Sequence, residues 1–235
     1  TRGAGEVNNR AGTFNISDSE ADHMTASQIE IGATNAGNIR VDNFSPAHTS
    51  SLVLKTGGNI AEGTTDAGAD ITVTNLTLQT GTGSNVDTAV TNLTASASGA
   101  GAIDVSNTGG MTVTSATTNN GNITLNATGG NLALTTVAAS TGGGTGNVTA
   151  STTTSGNINV GSVTAAGDTV TLTSAGSITD SNVAANNITA TSLNANAATG
   201  IDLDTNVNNI TASNTGVGHI NIDEANGANV LNVNA

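Results

Sequence analysis

The sequence predicts an all-β fold, a right-handed parallel β-helix in which short strands stack as a solenoid. Three observations predict it. A Gly-Asn-aliphatic phrase recurs, aliphatic residues alternate with polar ones after it, and aromatic residues are nearly absent, with two Phe and no Trp or Tyr. Without aromatic side chains a wide globular core is hard to fill. A narrow core of Ile, Val, Leu and Ala suits a repeat architecture, in which each unit packs only on its neighbours.

The recurring phrase marks the period of the repeat. It begins at Gly37, Gly58, Gly121, Gly130, Gly146 and Gly156. The first two copies are 21 residues apart, and the third follows after three times that distance. Glycine adopts the positive φ of tight corners most easily, and asparagine is the next best. Stacked Asn side chains also form ladders of amide hydrogen bonds.

Short alternating strands follow these corners. The segments 122–125, 157–160, 169–172, 200–203 and 219–222 carry aliphatic residues at positions i and i+2, which points one face of each strand inward. This spacing predicts coils of about 20 residues with two or three strands each. At about 4.8 Å between strands, roughly 11–12 coils make a rod about 55 Å long.

Two other interpretations are weaker. A meander of hairpins gives the same alternation, but it exposes long strand edges and favours two-residue Asn-Gly turns. A disordered chain is usually rich in charge and proline. Here charged residues are 9% of the chain and there is one Pro, so we expect an ordered solenoid.

The chain divides into two parts of one continuous solenoid. Residues 1–55 hold both Phe, the only Pro and every Lys and Arg, and we expect irregular coils or a cap there. Residues 56–235 carry the regular repeat. The last six residues keep the strand pattern without a cap, which indicates a piece of a longer rod or a rod that stacks on another copy. The start at Thr1 likewise indicates a mature product or an excised piece.

The charge distribution excludes two classes of partner. The net charge is −13, and all four basic residues lie within the first 55 positions. A nucleic-acid binder needs cations that replace the counterions of phosphates, and anionic membrane surfaces attract basic segments for the same reason. No apolar run approaches the ~20 residues of a membrane span. We therefore expect neither nucleic-acid binding nor membrane insertion.

The repeat resembles a known family. Residues 167–180, GDTVTLTSAGSITD, together with the Gly-Asn-Ile-x-Val/Leu strands, resemble the repeats of filamentous-haemagglutinin-like bacterial exoproteins and adhesins. The likeness covers residues 37–235. It implies a right-handed β-helical shaft, export by two-partner secretion, and a role in adhesion or biofilm. The family's N-terminal secretion domain, with its Asn-Pro-type motifs, is not visible in this sequence.

Catalysis finds little support in the residues. Parallel β-helices that cleave polysaccharides typically hold the sugar with aromatic and basic side chains, which the repeat lacks. Asp202 and Asp204 share an outward face and fit a carboxylate pair, but a solvated acidic face explains them as well. His23, His48 and His219 have no nucleophile motif near them. The sequence therefore predicts that the protein is not an enzyme.

A calcium site is a further hypothesis. Aligning residues 200–204 with 219–223 places Asp204 and Asp223 19 residues apart, one coil from each other. Stacked carboxylates repel unless a cation bridges them, and Ca²⁺ prefers oxygen ligands. The candidate ligands are Asp202, Asp204, Asp223 and Glu224. The nonapeptide calcium repeat is absent, and a hydrated acidic stripe is the alternative.

These observations together predict a structural or adhesive shaft segment of a secreted bacterial surface protein or filament. Its partners are then glycans or proteins of host or neighbouring cells, or copies of itself end to end. The alternatives are a self-assembling extracellular filament subunit and a carbohydrate-active enzyme. Ice binding by Thr-x-Thr rows is disfavoured, because the rows do not recur in every coil and Thr is a good strand former.

Overall fold

The computed structural model describes residues 6–9, 14–64, 68–182 and 185–235. Within these ranges twenty strands and one short helix form a parallel β-solenoid of about 10 turns, each of about 21 residues. The predicted fold class and coil length are confirmed. The turns are fewer than the 11–12 expected, because the parallel stack begins only at Ile29.

The elements follow one another in chain order. They are β1 (Glu6–Asn9), β2 (Phe14–Ser17), α1 (Asp18–Ala21), β3 (Ile29–Ala33), β4 (Ile39–Asp42), β5 (Ser51–Thr56), β6 (Ile60–Glu62), β7 (Ile71–Thr80), β8 (Ser84–Ala100), β9 (Ile103–Asn107), β10 (Met111–Asn120), β11 (Ile123–Ala127), β12 (Leu132–Ala139), β13 (Val148–Thr152), β14 (Ile158–Ser174), β15 (Ile178–Asp180), β16 (Ile188–Ala197), β17 (Ile201–Asn206), β18 (Asn209–Asn214), β19 (Ile220–Glu224) and β20 (Asn229–Asn234).

One face of the solenoid, here called the first face, runs the whole length of the stack. It consists of β4, β6, the start of β8, β9, β11, β13, the ends of β14 and β16, β18 and β20. One position of this face points inward in every coil and forms a column of side chains, the inner column. Its members are Ile39, Ile60, Ser84, Ile103, Ile123, Val148, Val170, Leu193, Ile210 and Val230. Nine of the ten are aliphatic, so the apolar core is a narrow stack, as the composition predicts.

The Gly-Asn phrase forms a corner that joins consecutive coils. The Oδ1 atom of Asn131 accepts the backbone N–H of Asn157 at 2.9 Å, and the Oδ1 atom of Asn157 accepts the N–H of Ser177 at 2.8 Å. The glycine before the Asn lies against the preceding coil. A Cβ on Gly156, whose φ is +111°, would be 1.9 Å from the carbonyl oxygen of Gly130. At this corner the Asn side chains bind backbone of the next coil. The amide-on-amide bonds that the sequence suggests occur elsewhere, from Asn92 to Asn75 at 2.8 Å and from Asn226 to Asn206 at 2.6 Å.

At a second kind of corner, side-chain oxygens take the place of backbone carbonyls as hydrogen-bond acceptors. The N–H of Asp70 donates to the carbonyl of Asp87, and the N–H of Asp87 donates to the Oδ2 atom of Asp70. Asn187 and Asp204 repeat this arrangement, with distances of 2.7 and 2.8 Å. In both pairs the partners are 17 residues apart. In these short coils of 17 residues, the side chain of Asp70 or Asn187 thus supplies the hydrogen-bond acceptor that a backbone carbonyl would otherwise supply.

The N-terminal end of the solenoid is covered. Strand β1 pairs antiparallel with both β2 and β4, which ends the parallel ladder. Helix α1 begins at a capping box on Ser17. Asp18 accepts the N–H of Ser45 at 2.7 Å, and Asp22 accepts the N–H of Ala47 at 2.6 Å. These contacts hold the helix against the first coil.

The C-terminal end of the described stack is open. Val230 and Val233 occupy inward positions beside Ile210 and Ala212, yet they are 63% and 48% exposed. The last strand has no strand beyond it, so its apolar side chains face solvent.

Candidate functional site

The acidic residues of the predicted calcium site lie on β17 and β19, which pair in parallel. The register places Asp204 beside Asp223 and Asp202 beside Asn221. The predicted alignment of the two coils is therefore confirmed. Asp202 accepts a hydrogen bond from Nδ2 of Asn221 at 2.9 Å, so an amide stands where a second stacked carboxylate would be.

Glu224 is directed away from this pair. Its carboxylate accepts the hydroxyl of Thr205 at 2.6 Å and the N–H of Val207 at 3.3 Å. It also accepts the N–H of Asn226 at 3.1 Å. Glu224 therefore joins the last turn to the preceding coil, a structural role.

The four predicted ligands do not converge. Among the described residues, no group of three or more acidic or histidine side chains is placed to hold a metal ion. The register leaves Asp204 and Asp223 as neighbours on adjacent strands, which supplies two carboxylates, whereas Ca²⁺ takes six to eight oxygens. A calcium site at this pair stays a prediction.

The predicted catalytic candidates lie on the surface. His23, His48 and His219 are all exposed. A shallow groove of about 450 Å³ contains His219 and Asp202. Asp202 is the one carboxylate among the residues that line this groove, whereas glycoside hydrolysis uses a pair.

The most regular surface is the outward side of the first face. Two rows of uncharged polar residues run along six consecutive coils, from β11 to β20, and we call them the Thr–Asn face. One row is Thr124, Thr149, Thr171, Asn194, Thr211 and Asn232, and the other is Asn126, Ser151, Thr173, Asn196, Ser213 and Asn234. Neighbours repeat about every 4.8 Å along the stack and about 6.6 Å along each strand.

Hydrogen bonds between coils order part of this face. The hydroxyl of Ser151 donates to Oδ1 of Asn126 at 3.0 Å, and Nδ2 of Asn126 donates to the hydroxyl of Ser106 at 3.3 Å. These two bonds hold the side chains of Asn126 and Ser151 in fixed positions. Fixed groups lose less side-chain entropy when they bind a ligand.

Acidic residues lie where the Thr–Asn face ends toward the N-terminus. Asp104 lies beside Thr124 in the register, and Asp87 lies beside Ser106. Burial raises the pKa of Asp104, and the nearby carboxylate of Asp87 raises it further. The polar surface therefore changes along the rod, from acidic at Asp87 and Asp104 to uncharged from Thr124 onward.

Comparison with known proteins identifies no relative of this chain. The chain matches no protein-family model, no curated protein and no solved structure. The resemblance to filamentous-haemagglutinin-like repeats therefore stays a prediction. In the described residues, no helix has the length and apolar character needed to span a lipid bilayer.

The Thr–Asn face was not singled out from the sequence. The sequence does contain a sign of this face, because most of its residues are polar and lie between two aliphatic residues. The coils that carry it differ in length, and a fixed period does not align them. Only the strand register shows that these positions form continuous rows.

Proposed function

We propose that this chain is a structural and adhesive shaft segment of a secreted bacterial surface protein. The Thr–Asn face carries the proposal. It repeats the same small set of uncharged hydrogen-bonding groups over six coils on a rod about 48 Å long. Each group makes a weak contact, and many contacts offered by one rigid body add up to firm attachment.

The chemistry of the face favours an uncharged, hydroxyl-rich partner. Hydroxyl and amide groups donate and accept hydrogen bonds, which suits neutral glycans of a host or neighbouring cell surface. The rows contain no Lys, Arg, Asp or Glu, so attachment through them depends little on ionic strength. Attachment through the acidic coils, in contrast, would change with ionic strength.

Adhesion of coated beads tests the proposal. Beads carrying the chain are expected to attach to cells or to immobilised neutral glycans equally well at low and at high salt. The double variant Thr149→Lys with Thr171→Lys, in adjacent coils of the Thr–Asn face, is expected to abolish attachment. Thr112→Lys with Ala133→Lys places the same charges on neighbouring strands β10 and β12 of another face and serves as the matched control.

Two results would contradict the proposal. Beads that attach to no cell or glycan surface would remove the adhesive role. Release of shortened sugars from a polysaccharide substrate would instead support the carbohydrate-active enzyme, the competing interpretation of a β-helix.

A self-assembling filament subunit is the second candidate, because copies of a parallel solenoid can add end to end by strand pairing. Growth of a filament from head to tail needs two open ends. At the N-terminal end, the antiparallel pairing of β1 and the docking of α1 would have to be displaced first. The shaft segment therefore stands as the leading proposal.

A further inference from the structure

We infer that the Thr–Asn face binds an extended chain of β-1,4-linked neutral sugars, which lies along the axis of the rod with one sugar on each coil. The inference rests on the proposed adhesive role of this face, and it names the shape and direction of the ligand. Five consecutive coils, from β11 to β18, carry it, because their strands pair on this face without a register shift.

A third polar row widens the face in these five coils. It lies one residue before the inner column in each coil, and its members are Asn122, Asn147, Thr169, Ser192 and Asn209. The row that we call the middle row then consists of Thr124, Thr149, Thr171, Asn194 and Thr211. The two flanking rows lie about 6.6 Å to either side of it.

The middle row and the flanking rows differ in their hydrogen bonds. In one flanking row, Oδ1 of Asn147 accepts the N–H of Thr169 at 3.0 Å, and Nδ2 of Asn209 donates to the hydroxyl of Ser192 at 3.3 Å. In the other, Asn126 and Ser151 hold each other. Within the described part of the chain, the middle side chains form no hydrogen bond with the protein, and all are half-buried or exposed. The middle row is therefore a floor of unused donors and acceptors between partly fixed rims.

The spacing of the rows selects an extended polymer and its direction. Adjacent coils are about 4.8 Å apart, and a β-1,4-linked chain of pyranose sugars is nearly straight and advances by nearly the same distance per sugar. Along the strands the outward side chains are about 6.6 Å apart, and the face is only three positions wide. A chain that matches the face therefore lies across the strands, over a floor about 19 Å long.

The chemistry of the rims suits both edges of such a chain. Successive sugars are turned over relative to one another, so hydroxyl groups of each kind alternate between the two edges. A chain centred on the middle row has a flanking row beside each edge, and the hydroxyl and amide groups of these rows both donate and accept.

The charge distribution favours neutral sugars. The three rows contain no charged residue, whereas the whole chain carries a net charge of −13. An anionic polysaccharide is repelled by this field, and a cationic one is attracted to acids outside the rows, such as Asp87 and Asp104. A neutral chain meets neither effect.

Titration with β-1,4-linked glucose oligomers of increasing length, followed by NMR, tests the inference. We expect binding to tighten by about threefold for each added sugar, since each adds the net effect of about one hydrogen bond. Binding should level off once the oligomer covers the five coils. Glucose oligomers with α-1,4 linkages carry the same groups on a curved chain and should show no such rise.

Lys variants test the position of the sugars along the floor. Thr171→Lys, in the central coil, divides the floor into two pairs of coils, so binding should level off at two sugars. Thr124→Lys, at one end, leaves four coils, and binding should level off at four. Thr112→Lys lies on another face and should change nothing, and the circular dichroism spectrum should be the same for all three.

Three results would overturn the inference: no binding at any length, equal binding of both linkages, or an unchanged dependence on length in Thr171→Lys. Coated beads that still attach to a cell or glycan surface would leave the adhesive role intact in each case. Beads that attach to no surface would instead contradict the adhesive role itself.

Discussion

Ser84 interrupts the aliphatic inner column, and its replacement should stabilise the protein. Ser84 lies between Ile60 and Ile103, is 6% exposed, and its hydroxyl has no hydrogen-bond partner among the described residues. A buried hydroxyl without a partner costs about 1–3 kcal/mol. We therefore expect Ser84→Ala to raise the free energy of unfolding by about 1 kcal/mol. For a chain of this length that corresponds to a rise in Tm of about 2–4 °C.

Ser174 provides the matched control on the same face. It is buried to a similar degree, at 5% exposure, but its hydroxyl is within 2.9 Å of the Ser177 carbonyl and accepts the N–H of Gly176 at 3.1 Å. Ser174→Ala leaves these groups without their partner and should cost about 1–2 kcal/mol. Thermal unfolding followed by circular dichroism measures both variants. If Ser84→Ala lowers the Tm as Ser174→Ala does, the reasoning about the unpaired hydroxyl is refuted.

Three further predictions concern corners and charge. Gly156→Ala should destabilise the fold by more than about 3 kcal/mol, because its Cβ meets the preceding coil, whereas Gly129→Ala, with open space around it, should change stability by less than about 1 kcal/mol. Urea unfolding compares the two, and equal effects would contradict the close approach. Asn157→Ala should lower the free energy of unfolding by about 1 kcal/mol, because it removes the acceptor of the Ser177 N–H. Asn157→Asp keeps the acceptor oxygen and should cost less. Equal losses on urea unfolding would show that this hydrogen bond contributes nothing. The raised pKa of Asp104, caused by burial and by Asp87, means that the folded chain holds this proton more tightly than the unfolded chain. The stability it contributes is present below the usual Asp pKa of about 3.9 and is lost as pH rises through the raised folded pKa. Asp104→Asn should therefore raise the Tm at pH 7 and give no gain near pH 3, and a gain that persists in acid would argue against this origin.

The inward and outward positions of single strands could be predicted from the sequence because that pattern is local. Alternation of aliphatic and polar residues fixes which side chains of a strand point inward. The regular spacing of residues 200–204 and 219–223 also places Asp204 beside Asp223, as the structure shows. The role of Glu224 could not be predicted, because its partners Thr205 and Val207 lie in the preceding coil and are reached only after the chain turns a corner.

The sequence by itself determined the solenoid, its coil length, its narrow aliphatic core and the excess of acid over base. Those properties depend on composition and on a spacing that repeats along the chain. The tertiary structure decided which side chains of different coils become neighbours. Coil lengths vary, and the corners absorb the difference through side chains such as Asp70 and Asn187, which replace missing backbone acceptors. That register produces the continuous Thr–Asn face, and the antiparallel pairing of β1 with β4 ends the parallel ladder on the N-terminal side.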